Sequence, residues 1–135
     1  MITKPALTIE DAETMGSAAI KEAQANQWKV TIAICDEGGH LVWLRRLDGA
    51  SPISSYIAPQ KARTAAMGKR ETKVYEDIIN EGRTAFLSAP ELKGMLEGGL
   101  PILVDGHCIG AIGVSGVKSV EDAQIGRAGI AALKL

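Results

Sequence analysis

The chain has 135 residues, of which 46% are hydrophobic, and its 15 basic and 16 acidic residues leave a formal net charge of −1. This length is typical of one domain with one sizeable core, so we expect residues 1–135 to form a single domain. The balanced charge has no basic stripe, so we expect no nucleic-acid partner and no membrane partner. The start of the chain lacks an apolar signal-peptide core, and this absence predicts a cytoplasmic protein.

Hydrophobic periodicity predicts a helix that begins at Thr8 and ends near Asn26. Two runs rich in Val, Ile and Leu, 29–35 and 41–47, flank the turn residues Asp36–Gly39 and predict a β-hairpin. Neither strand has a polar face, so the sheet needs a cover on both sides. We expect helices on one side and take a second copy of the chain as a hypothesis for the other.

The middle of the chain predicts two more helices. Ser51-Pro52 resembles a capped helix start, and the helix extends to about Met67 with Gly68 as its stop. Pro59 lies inside this helix and is expected to kink or split it. Two apolar pairs four residues apart, Val74/Ile78 and Tyr75/Ile79, predict a further helix at Glu71–Glu81. Within 83–97, only Pro90–Leu92 suggests a helical turn.

Strands at Leu100–Asp105 and His107–Ser115 form a second predicted hairpin around Asp105-Gly106, and Gly98–Leu100 could add a short fifth strand. A final helix is expected from Val120 to about Leu133, with Ser119 and Asp122 as an N-cap pair. The predicted order is α-ββ-αα-ββ(β)-α. Because hairpins pair antiparallel, the fold class is α+β.

Cys35 and Cys108 each lie in an apolar, strand-like run, and we expect two buried free thiols. These cysteines and the histidines His40 and His107 lack the spacing of a metal site, so we expect no metal.

The glycine-rich segment Gly113–Ser119 leads into the last helix, whose first N–H groups and positive end could hold a carboxylate or phosphate. An ordinary strand-to-helix connection explains the segment equally well. Gly98–Pro101 is a second turn that could expose backbone donors, although a simple chain reversal fits it better. Arg46 and Lys61 could bind an acidic ligand or pair with Asp48.

Together, these segments resemble the GlcG/HbpS-like family, also called the haem-degrading family. The resemblance covers nearly the whole chain, in order, through the stretches Ala33–Val42, Arg46–Ala50, Lys61–Ala65, Gly98–Ile102 and Gly110–Gly116. It implies an α-β-α sandwich of profilin- or roadblock-like form around a five-stranded antiparallel sheet, assembled as homo-oligomers. It also implies haem or cobalamin-related binding in some members.

The ordered pattern makes the two glycine turns parts of one expected ligand site. The predicted ligand-binding residues are Arg46, Asp48, Lys61, Thr64, Gly98, Gly99, Pro101, Ser115 and Gly116. No catalytic residue is assigned, and whether the protein is an enzyme stays open.

Three hypotheses follow for function. The first is a small-ligand-binding accessory protein that binds haem or a related tetrapyrrole. The second is a hydrolase-like enzyme that acts on a small organic acid in a catabolic pathway, and the third is a non-catalytic oligomeric scaffold. None of the candidate axial ligands stands out in the sequence; they are His40, His107, Tyr56, Met15, Met67 and Met95.

Overall fold

A computed structural model describes the whole chain, Met1–Leu135. Four helices and four strands follow one another along the chain in the predicted order, without the fifth strand. They are α1 (Ile9–Ala25), β1 (Thr31–Asp36), β2 (Leu41–Arg46), α2 (Ser54–Gly68), α3 (Thr72–Asn80), β3 (Gly99–Val104), β4 (His107–Ser115) and α4 (Ser119–Ala131), with a short 3₁₀ helix at Thr84–Ser88 before β3. No helix combines the length and the apolarity that crossing a membrane requires.

The sheet is antiparallel throughout, with strand order β2-β1-β4-β3. Thr31 pairs with both Arg46 and Ser115, and these residues mark what we call the Thr31 end of the sheet. Asp36 pairs with Gly110 at the opposite end, the Asp36 end. The two hairpin turns, at residues 37–40 and 105–106, both lie at the Asp36 end.

The prediction of a fifth strand was wrong. Gly99 and Leu100 are the first residues of β3, which continues through Pro101 without a break. Pro101 is accommodated because β3 is an edge strand, where a missing N–H group is tolerated.

Helices of the same chain cover both faces of the sheet. Ile32, Ile34 and Ile112 lie in the larger core with Met15 of α1 and Ile125 of α4. On the other face, α2 lies over β1, β4 and β3. The α-β-α layering therefore forms within one chain, and the hypothesis that a second copy must cover the sheet was wrong.

Small side chains let α2 approach the sheet closely. Ala62, Ala65 and Ala66 pack against Cys35 and Ala111 in a second buried cluster. Gly113 lies beneath this helix, where an added Cβ would collide with the Ala58 carbonyl oxygen. Cys108 is also buried, so the prediction of two buried free thiols is confirmed.

Pro59 does not split α2, which is one continuous helix and begins at Ser54, later than expected. Its missing N–H falls in the second turn, so only one intrahelical bond near the helix start is lost. The expected helical turn at Pro90–Leu92 is absent, and Glu91 adopts a φ of 64° that helices exclude.

Candidate functional site

The two glycine turns meet at the Thr31 end. The Val114 N–H donates to the Gly98 carbonyl over 3.0 Å. The Lys61 ammonium donates to the Val114 carbonyl over 2.9 Å, from α2 above the sheet. The Lys61 ammonium therefore ties the end of β4 to α2, and the backbone bond from Val114 joins Gly98, just before β3, to the same place.

Lys61 also forms a buried ion pair with Asp122 of α4, at 3.1 Å between Nζ and Oδ2, and each side chain is only 3% exposed. The other oxygen of Asp122 accepts the Val117 N–H over 3.2 Å. Gly98 makes room for the pair, because a Cβ there would lie 2.7 Å from the Lys61 nitrogen. Its φ of 129° is also one that side chains disfavour.

Burial raises the pKa of Asp122 from its ordinary 3.8 to about 6, although the Lys61 ammonium and the Val117 N–H oppose the rise. The native protein therefore holds the Asp122 proton more tightly than the unfolded chain does. Its contribution to the free energy of unfolding is present below about pH 4 and is lost as the pH rises to about 6.

Threonine hydroxyls bind two further backbone donors near these turns. Thr72 accepts the Gly99 N–H over 2.8 Å and donates to the Leu96 carbonyl. Thr64 of α2 accepts the Gly94 N–H over 3.2 Å. Lys61, Thr64, Gly98 and Gly99 are all buried, and the bonds that they make are internal. Their direct contact with a ligand stays a prediction.

The remaining predicted residues lie closer to the surface. The Arg46 guanidinium donates twice to the Ala50 carbonyl, over 3.2 and 3.0 Å, and so holds the loop that leads to α2. It does not pair with Asp48, which is exposed beside a cleft of about 260 Å³. Ser115 is nearly buried at the end of β4, and Gly116 follows it at the surface. Pro101 is half-buried farther along β3.

A different arrangement occupies the Asp36 end. The His40 imidazole is 76% exposed, and its Nδ1 lies 3.2–3.3 Å from the Asp36 carboxylate oxygens. The same carboxylate accepts the Gly38 and His40 N–H groups over 2.9 and 3.0 Å. Burial works to raise the pKa of Asp36, but these bonds and the imidazole outweigh it and lower the pKa below its ordinary value.

An ionised Asp36 requires Nδ1 of His40 to be the donor in their bond. The neutral ring then carries its free lone pair on Nε2, the nitrogen that does not face Asp36. Carboxylate-oriented histidines of this kind are common among metal ligands, because the carboxylate fixes the ring and raises its basicity.

Apolar and cationic side chains lie next to His40. Gly39 packs directly against Arg63 and Met67 of α2. Leu41 and Leu44 pair with β1 residues that face α2, so they lie on the same side of the sheet. Leu41 is 57% exposed and Met67 is 45% exposed. We call Leu41, Leu44 and Met67 the apolar strip.

Sequence reasoning missed Asp122 and the Asp36–His40 pair. Asp122 was interpreted as a cap, but it shares a helix face with the buried Ile125, Gly126 and Gly129, and that spacing was the available signal. For His40, the signal was Asp36, which lies four residues earlier, before the turn Gly38-Gly39. An aspartate that begins such a turn commonly accepts hydrogen bonds from groups of its own loop.

An antiparallel sheet lies between α2 on one face and α1 with α4 on the other, and a buried lysine–aspartate pair joins α2 to α4, so the protein is a small three-layer α+β domain. A family model described as haem-degrading protein, HbpS-like, matches residues 7–131. The chain belongs to this family.

Similar proteins support membership of this family. Protein GlcG of Escherichia coli strain K12 is 54% identical over 115 residues, which are 85% of this chain and 85% of that protein. A crystal structure of a PduOC–haem complex is 32% identical, with a TM-score of 0.86 over 95% of each chain. A double mutant of HbpS from Streptomyces reticuli is 30% identical, with a TM-score of 0.88 over 98% of this chain and 90% of that one.

The buried pair should make the effect of a Lys61 substitution on the free energy of unfolding depend on pH. We expect Lys61→Met to lower the free energy of unfolding by about 3 kcal/mol at about pH 8, because Asp122 loses its partner. The loss should be smaller at about pH 5, where Asp122 is largely protonated. Urea unfolding at the two pH values measures both quantities, with the exposed Lys69→Met as the control. An equal loss at both pH values would contradict the assignment.

Proposed function

We propose that this protein binds haem or a related tetrapyrrole as an accessory factor, with His40 as the axial ligand. The observation that carries the proposal is the exposed imidazole of His40, whose Nδ1 is held by Asp36. Family membership and the haem complex of a relative at 32% identity support the choice of ligand.

Haem requires an axial ligand, an apolar surface for the macrocycle and cations for its two propionates. Nε2 of His40 meets the first requirement. The apolar strip beside it meets the second. Arg63, which is half-buried against the hairpin turn and pairs with the exposed Glu91 over 3.4 Å, offers positive charge beside the strip. The residues present therefore fit the group.

Bound haem would supply redox and oxygen chemistry through its iron. The chain's own part is to bind and orient. Asp36 holds the imidazole plane, Gly39 places the hairpin turn against α2, and Arg63 attracts a propionate carboxylate. The organic-acid enzyme and the ligand-free scaffold stay untested hypotheses.

The proposal predicts the result of a haemin titration followed in the Soret band. The wild-type protein should shift the band and saturate at a defined stoichiometry. His40→Ala should remove the shift, and Asp36→Asn should weaken binding by about tenfold or more, because the ring loses its orienting partner. His107→Ala, at the neighbouring hairpin, is the control and should bind as the wild type does. Loss of binding in His107→Ala with normal binding in His40→Ala would refute the site.

We also propose that the protein is a homo-oligomer. The support is a pair of large exposed apolar side chains at the start of α2, Ile53 and Tyr56, which lie three residues apart and so share one face of the helix. Exposed apolar side chains of this size are typical of contact surfaces when they cluster.

Sedimentation of the wild-type chain and of Tyr56→Ser tests this proposal. We expect the wild type to sediment above the monomer mass of 14.2 kDa and the variant to shift toward it, because Tyr56 lies at the outer surface of α2. A wild type that sediments as a monomer at high protein concentration would contradict the proposal.

A further inference from the structure

A separate cleft lies at the Thr31 end, at the opposite end of the sheet from His40. It has a volume of about 260 Å³, and six residues line it: Gln24, Gln27, Trp28, Lys29, Leu47 and Asp48. They come from the end of α1, the segment that leads into β1, and the loop after β2. The volume is just below the roughly 300–1,000 Å³ of sites for drug-sized ligands, so it suits a smaller molecule.

The cleft presents two opposite charges that are not paired with each other. Lys29 and Asp48 are exposed, and the ion pairs of the protein join other residues. The Lys29 side chain passes close to Gly49. The φ of Gly49 is 86°, and a Cβ added to Gly49 would lie 2.6 Å from Cδ of Lys29. The loop thus holds the lysine stem beside Asp48 and leaves both charged groups available.

The other lining residues supply apolar and neutral polar surface. Trp28 is half-buried and packs on the main core, so its indole is held in place. The side chains of Gln24 and Gln27 make no hydrogen bond within the protein and offer amide donors and acceptors. Helix α1 ends here with no basic residue in its last turn, so its negative end adds to the attraction for a cation.

We propose that this cleft binds a small zwitterion of the amino-acid type. The ligand carboxylate meets the Lys29 ammonium, the ligand ammonium meets the Asp48 carboxylate, and an apolar group lies against Trp28. A ligand with one charge leaves one of these residues without a partner. The cleft therefore selects molecules that carry both charges.

Three probes of similar shape test this selectivity. Phenylalanine carries both charges, 3-phenylpropionate only the carboxylate, and 2-phenylethylamine only the ammonium. Each is titrated into the full chain while the two tryptophan indole N–H signals are followed by NMR. Phenylalanine should shift the Trp28 signal and leave the buried Trp43 signal in place, and the other probes should bind at least about tenfold more weakly.

Charge-removing variants test the two residues. Lys29→Gln and Asp48→Asn should each weaken phenylalanine binding by about tenfold or more. The matched controls Lys69→Gln and Asp105→Asn lie on the surface at the Asp36 end and should bind as the wild type does. All four positions are at the surface, and equal melting temperatures check the fold. An unmoved Trp28 signal at millimolar phenylalanine, equal binding of all three probes, or unchanged binding in both cleft variants would each overturn the proposal.

Discussion

The buried pair of Lys61 and Asp122 is the interaction on which the rest of the structure depends. It joins α2 above the sheet to α4 below it, at the point where the Gly98 turn meets the end of β4. Removing one member leaves an unpaired charge in the interior, which costs far more than the pair contributes. This explains why Gly98 stands beside it and why Val117 donates to Asp122. The glycine turns are therefore part of the framework before they are part of any site.

That framework leaves two ends of the sheet with different chemistry. The Thr31 end has the buried pair and, at its surface, the cleft with the free charges of Lys29 and Asp48. The Asp36 end has the two hairpin turns and the oriented imidazole of His40. An oriented imidazole beside apolar side chains suits a large planar ligand, and free charges in a small cleft suit a small polar one. The two proposals therefore concern different surfaces and can fail independently.

Much of the fold could be predicted from sequence, because the signals were local. Asp36–Gly39 and Asp105-Gly106 have the residues that turns require, so both hairpins were correct. The prediction that Pro59 would split α2 was wrong, because the destabilisation of a helix by proline depends on how near the proline lies to the helix start. The candidate site was harder to predict, because it depends on contacts between residues that are far apart in the sequence. Lys61 pairs with an aspartate 61 residues away, and no local pattern connects the two; its contact with a ligand stays a prediction.

The central functional claim is that His40 coordinates haem iron beside the apolar strip. A crystal structure of the protein with haemin tests it most directly. We expect iron bound to Nε2 of His40, with the macrocycle against Leu41 and Met67 and Nδ1 still bonded to Asp36. Haem held at the Thr31 end, or iron bound by His107 with His40 free in solvent, would contradict it.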